Sequence, residues 1–159
     1  SQALWVTTPL TRTAQTQAAL VSAATRLGVS RHASARIIEP RFMEQNLGQW
    51  QDCSRAEIDV QRKLPRPDYW LAGPHERPRG GESFLELAKR VVEGIDELQQ
   101  SSGPEDIVAV AHAGTMRAAL MHALELKPQA ALRVAIANCA VVCIELIYDG
   151  PRRTGQLRL

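Results

Sequence analysis

The apolar positions of this chain change period several times, and each change marks an element. Ile107, Val108, Ala109, Val110 and Ala111 run without a polar interruption. A short run of that kind predicts a strand buried on both faces. Beyond it, Met116, Ala119, Leu120, Ala123 and Leu124 recur at helical spacing and predict a helix to about Leu126. Gly114 suits a tight turn between the two, and Thr115 a helix cap. His112 is therefore expected at the carboxyl end of a buried strand, beside the free amides of a helix start. Open α/β sheets bind ligands there, and anions are held well there.

The rest of the chain alternates in the same way. Leu4 to Val6 read as a strand. Thr8 and Pro9 suit the cap and first position of a helix, and Leu10, Ala14, Ala18, Val21 and Ala24 carry a stripe toward Leu27 and a stop at Gly28. Ala35 to Ile38 is a second short strand. The stretch from Arg41 to Trp50 has poor periodicity and reads as a structured loop carrying Glu44. Ser54/Glu57 and Ser83/Glu86 fit the capping-box spacing, so helices are expected to begin at both. Between them, Leu64 to Gly81 is rich in Pro and Gly and reads as an excursion over the rim of the sheet. Phe84, Leu87, Ala88, Val91, Ile95 and Leu98 mark the clearest amphipathic helix. Arg133 to Ile147 reads as one or two strands broken near Asn138, with a turn at Asp149-Gly150 and an edge strand over Gln156 to Leu159. Strands alternating with helices predict an α/β fold, a single-domain three-layer α/β/α sandwich over residues 1–159 with a mostly parallel open sheet.

Composition narrows the partners. A net charge of +2 with dispersed basic residues argues against a nucleic-acid surface, while leaving room for a local anion site. No apolar run is long enough to span a bilayer, so no membrane partner is expected. Cys53, Cys139 and Cys143 form an odd set without metal-like spacing, and read as reduced thiols of a cytoplasmic protein. Arg12 falls in the first turn of the first helix, where a cation opposes the helix dipole unless an anion joins it.

Four patterns now stand in order: Thr8-Pro9-Leu10-Thr11-Arg12 through Thr16, Glu44 with Gly48 and Trp50, Gly80-Gly81-Glu82-Ser83, and Val110-Ala111-His112-Ala113-Gly114-Thr115-Met116-Arg117. Together they resemble the signatures of the histidine phosphatase superfamily, the phosphoglycerate-mutase-like proteins, over nearly the whole chain. The resemblance implies that Arg12 clamps a phosphate with its planar fork. It implies that His112 donates to the phosphoryl oxygens, and that Glu44 gives a proton to the leaving oxygen and later takes one from water. Gly81, Glu82, Ser83 and Ala113 would shape the phosphate-binding wall, Ala113 standing where the family commonly has glycine. Arg12 and His112 must then share a cleft. No metal or cofactor is expected.

The family's nucleophile lies in an Arg-His-Gly motif on its first strand, and none of the four histidines here stands in one. Arg31-His32-Ala33 lacks the glycine and a preceding strand, and reads as a surface loop. His75 falls in the excursion and His122 in a helix interior. The expectation is that the family's first strand is missing from this chain, so that residues 1–159 are inactive by themselves while the complete protein is a phosphomonoester hydrolase working through a phosphohistidine. A phosphoglycerate mutase-type transferase is the near alternative, and a phospho-ligand-binding module without turnover the distant one. The expected partner is a phosphorylated small molecule or phosphate, and an open sheet edge admits a homodimer.

Overall fold

The computed structural model describes residues 3–28, 36–62, 64–101, 106–149 and 152–158. In chain order the elements are β1 (Ala3–Thr7), α1 (Thr11–Arg26), β2 (Arg36–Ile38), α2 (Arg55–Gln61), α3 (Phe84–Gln100), β3 (Asp106–Val110), α4 (Ala113–Ala123), α5 (Pro128–Leu132), β4 (Cys143–Asp149) and β5 (Arg152–Arg158). Single 3-10 turns occupy Pro40–Phe42 and Gly48–Trp50. The fold is α/β, and the chain divides into two compact units: Ser1–Met43 with Glu93–His112, and Glu44–Val92 with Ala113–Leu159.

The first unit is built on a parallel sheet in the order β2-β1-β3. β1 is central, pairing Trp5 with Arg36 on one side and running from Ala3↔Asp106 to Thr7↔Val110 on the other. Its Leu4 and Val6 are buried, as a central strand requires. β3 departs from expectation. The apolar run predicts burial on both faces, yet Ile107 is 38% exposed and, among the described residues, β3 ends the sheet. A continuous apolar run specifies a strand but not whether that strand is flanked on both sides.

α1 also corrects the sequence reading. Its buried positions are Thr13 and Gln17, whereas Ala14 and Ala18 face outward. Alanines bury little area, so the stripe had a weak hold on the helix's rotation. Polar bonds set it instead: the Thr13 hydroxyl donates to Leu10 O over 2.7 Å and meets Thr8 Oγ1 at 2.8 Å. The helix cap is Leu10, without a side-chain bond, in place of the expected Thr8. The predicted stop holds, with Gly28 at φ 66° and its N–H donating to Thr25 O. The Arg31-His32-Ala33 segment and Ala35 lie outside the described residues.

In the second unit both capping boxes form. Ser54 and Glu57 cap α2 reciprocally. Glu86 N donates to Ser83 Oγ, and Ser83 N to Glu86 Oε2, at the start of α3. Phe84, Leu87, Ala88 and Val91 of α3 are buried, and Trp50, Ile58 and Ala72 form a core cluster under Leu47 and Leu71. α4 begins at Ala113, so Gly114 and Thr115 lie inside the helix rather than before it. The Arg133–Ile147 prediction is half met. A helical turn, α5, precedes irregular chain, and only Cys143 onward is strand, paired antiparallel with β5 from Asp149↔Arg152 to Cys143↔Arg158. β5 thus starts earlier than predicted. Among the described residues, no helix is long and apolar enough to cross a membrane.

Candidate active site

The candidate side chains fall into two sets, one in each unit. In the first unit, β1 and β3 run parallel and in register up to Thr7↔Val110. The residues just beyond their carboxyl ends therefore stand side by side. Thr8 Oγ1 lies 3.1 Å from His112 Nε2. On the other edge of the ring, Arg12 Nη2 lies 3.2 Å from His112 Nδ1. Arg12 and His112, a hundred residues apart in the chain, are thus brought together as the resemblance required. His112 is 7% exposed and Arg12 is exposed, so the guanidinium reaches inward from the rim. The first turn of α1 holds no acidic residue. A cation over a helix start with no carboxylate there is set up for an incoming anion.

In the second unit, Glu44 Oε1 accepts from Gln45 N at 3.0 Å and from Gly114 N at 3.1 Å. The carboxylate is thereby seated on the opening turn of α4, two residues along the chain from His112. Gly114 is needed for this contact because a Cβ there would run into Glu44 Oε1. Ala113, expected in the phosphate-binding set, is the first residue of α4 and half-buried.

Arg117 lies one turn further along α4, and no role had been read for it. It stacks on the Trp70 ring at 4.2 Å, its Nε donates to Val134 O at 2.9 Å, and its buried Nη1 has no hydrogen-bond partner. Burial draws its guanidinium below the usual arginine range, and the charge of Glu44 opposes that shift. Arg133 stacks likewise on Tyr69, so two cation–π pairs pin the Pro-rich excursion to the helices.

Gly81, Glu82 and Ser83 brace the Glu44 loop. Glu82 N donates to Asn46 O, and Glu82 Oε1 accepts from Asn46 N at 2.9 Å. Arg90 grips both Glu82 oxygens at 2.6 and 3.0 Å and reaches Glu44 O at 3.2 Å. Ser83 is buried and engaged with Glu86 in the α3 capping box. A Cβ on Gly81 would collide with Asn46 O and stand 2.8 Å from Gly48 N. Both obstacles are backbone and cannot swing aside. Gly81→Ala is expected to destabilise the fold by about 1–3 kcal/mol, seen as a lower melting temperature. An unchanged melting temperature would mean that the two loops are not locked together.

The comparisons show the family and the fold. The family model described as histidine phosphatase superfamily (branch 1) matches residues 1–155. A 2,3-bisphosphoglycerate-dependent phosphoglycerate mutase 2 of Gloeobacter violaceus is 28% identical over 147 residues, 91% of this chain and 64% of that protein. A 2,3-bisphosphoglycerate-dependent phosphoglycerate mutase of Cytophaga hutchinsonii is 30% identical over 114 residues, 68% of this chain and 52% of that one. The chain therefore spans less than two thirds of the length of these curated relatives. A mycobacterial glucosyl-3-phosphoglycerate phosphatase shares the fold with a TM-score of 0.77 at 23% identity, over 99% of this chain and 76% of its own. The alpha-ribazole phosphatase of Shigella flexneri does so at 0.65 and 18%, over 100% and 73%.

Proposed function

The chain belongs to the histidine phosphatase superfamily, branch 1, and from that membership we propose that the protein is a phosphomonoester hydrolase acting through a phosphohistidine. In this reading Arg12 and His112 hold the phosphoryl oxygens while the ester oxygen departs and a histidine nitrogen bonds to phosphorus. Glu44 gives its proton to the leaving oxygen. Water then attacks the phosphohistidine, Glu44 takes a proton from it, and phosphate is released. The nucleophile is not assigned to any of the four histidines of this chain, since none follows the Arg-His-Gly pattern. The observation that carries the reading is the contact between Arg12 Nη2 and His112 Nδ1 at 3.2 Å.

The names of both curated relatives favour a second reading, a phosphoglycerate mutase-type transferase, in which the phosphohistidine is passed to an acceptor hydroxyl in place of water. Both readings need the oxyanion grip, so the first test addresses it alone. Titration calorimetry with phosphate or vanadate is expected to show binding by the chain. Arg12→Ala is expected to weaken it by about 10- to 100-fold, the value of one or two charge-assisted hydrogen bonds. No heat with either anion would sink both enzyme readings, and the non-catalytic phospho-ligand module with them. Release of phosphate from a monoester by the whole protein, with or without transfer to phosphoglycerate, separates hydrolase from mutase.

A further inference from the structure

Two hydrogen bonds of the His112 ring favour one proton arrangement, and it gives Thr8 a task. A guanidinium can only donate. Arg12 Nη2 faces His112 Nδ1 at 3.2 Å, so Nδ1 must offer its lone pair, and the proton of the neutral ring sits on Nε2. Nε2–H then donates to Thr8 Oγ1 at 3.1 Å. Leu10 N–H donates to the same oxygen at 3.3 Å. With both of its acceptor positions used, the Thr8 hydroxyl proton goes to Thr13 Oγ1 at 2.8 Å, and the Thr13 hydroxyl proton goes to Leu10 O at 2.7 Å. Each donor in this chain meets an acceptor. The opposite tautomer would set an N–H against the Arg12 N–H and draw the Thr8 proton back to Nε2. The relay to Thr13 would then be reversed, breaking the 2.7 Å bond from the Thr13 hydroxyl to Leu10 O.

We propose that Thr8 is the positioning residue of His112: its hydroxyl, aimed by Thr13, accepts the Nε2 proton and holds the imidazole with its Nδ1 edge toward Arg12. Thr8 is 1% exposed, Thr13 3% and His112 7%, so water does not compete for these bonds. The Nδ1 edge is the one an oxyanion meets. A phosphate arriving between Arg12 and the ring finds a lone pair there, so the His112–phosphate bond forms with one added proton, either on Nδ1 or carried by the phosphate. This use of the arrangement rests on the phosphate reading above, whereas the tautomer does not.

Nitrogen-15 NMR of the imidazole rings, assigned with a His112→Gln control, tests the tautomer directly. The unliganded chain is expected to show His112 protonated at Nε2 with Nδ1 bare. Thr8→Val keeps the size and removes the acceptor, and is expected to shift His112 toward the Nδ1–H form. Thr8→Ser is expected to restore the original pattern. An Nδ1–H ring in the wild type, or a Thr8→Val spectrum unchanged for His112, overturns the proposal. Should Thr8→Val fail to fold, Thr13→Val interrupts the same relay one bond away and is expected to loosen the preference in the same direction. A phosphate titration of the same samples is expected to show proton uptake with binding in the wild type and Thr8→Ser, and less in Thr8→Val, whose Nδ1–H already donates. A correct tautomer in a wild type that binds no phosphate would leave the positioning intact and remove the oxyanion reading.

Discussion

Gly114→Ala is expected to cost the whole protein most of its activity while leaving it folded. The new methyl group enters the space of Glu44 Oε1 and comes within 3.0 Å of Leu87 Cδ2. Both obstacles are the far ends of flexible side chains, so they yield. Alanine also favours a helix interior over glycine by about 1 kcal/mol. The two effects offset, and the melting temperature is expected to change little. Glu44, however, must leave Gly114 N, its anchor on α4 at 3.1 Å. If Glu44 is the proton donor, the loss follows general-acid catalysis, about 10²- to 10⁴-fold in kcat. It is expected in full on an alkyl phosphate, whose leaving oxygen needs the proton, and to be much smaller on a nitrophenyl phosphate, whose leaving group departs without one. Phosphate affinity, assigned to Arg12 and His112 in the proposed reading, is expected to stay the same. Equal and near-normal rates on both esters would remove Glu44 from the chemistry.

The same glycine shows where the sequence was readable and where it was not. Its presence in the motif is plain, but the local pattern makes it a turn residue, because a glycine after a strand is usually one. The reason for it is a carboxylate arriving from seventy positions earlier, which no local pattern encodes. α3 is legible because it repeats an apolar period over several turns, and β1 and the strand before His112 because their apolar residues run together. α5 was not, since five residues from Pro128 to Leu132 are too few to establish one. The exposure of Ile107 was hidden for a related reason: strand propensity is local, while burial depends on neighbours. The capping boxes at Ser54 and Ser83 were legible down to the atom, because their partners lie three residues away. The task of Thr8 is not legible in its local bonds to Leu10 N and Thr13. The Thr8 hydroxyl meets His112 across 104 positions, and threonine before proline looks like any helix start. His112 and Arg12 are each marked by their local setting, but only the resemblance joins the two distant motifs.

Glu76→Ala is expected to remove about 3–5 kcal/mol of stability, the usual cost of stranding one member of a buried ion pair. Glu76 and Arg62 tie the two ends of the Pro-rich excursion. Arg62 Nε and Nη2 meet the carboxylate at 2.6 and 2.7 Å, and the Arg62 side chain is only 1% exposed. Its Nη1 is buried without a hydrogen bond, 3.7 Å from Asp59 Oδ1. With Glu76 gone, that guanidinium keeps only the Asp59 carboxylate, at 3.7 Å and without a hydrogen bond to Nη1. The melting temperature should fall by about 6–20 °C. Joint replacement by Arg62→Met and Glu76→Leu should recover most of the loss, since neither charge then remains to be buried. The pH dependence has a fixed sign. The hydrogen bond to Arg62 holds the Glu76 carboxyl below its usual range, with burial working against it. Its contribution is therefore complete above the unfolded value, about 4.3, and is lost as pH falls through the lower folded value. Glu39, held down by its hydrogen bonds to Arg41, adds a loss of the same sign. Urea denaturation from pH 6 to pH 3 should thus show a shallower acid loss in the double variant than in the wild type. A single variant costing under about 1 kcal/mol would mean that the excursion opens around Arg62 without disturbing the core.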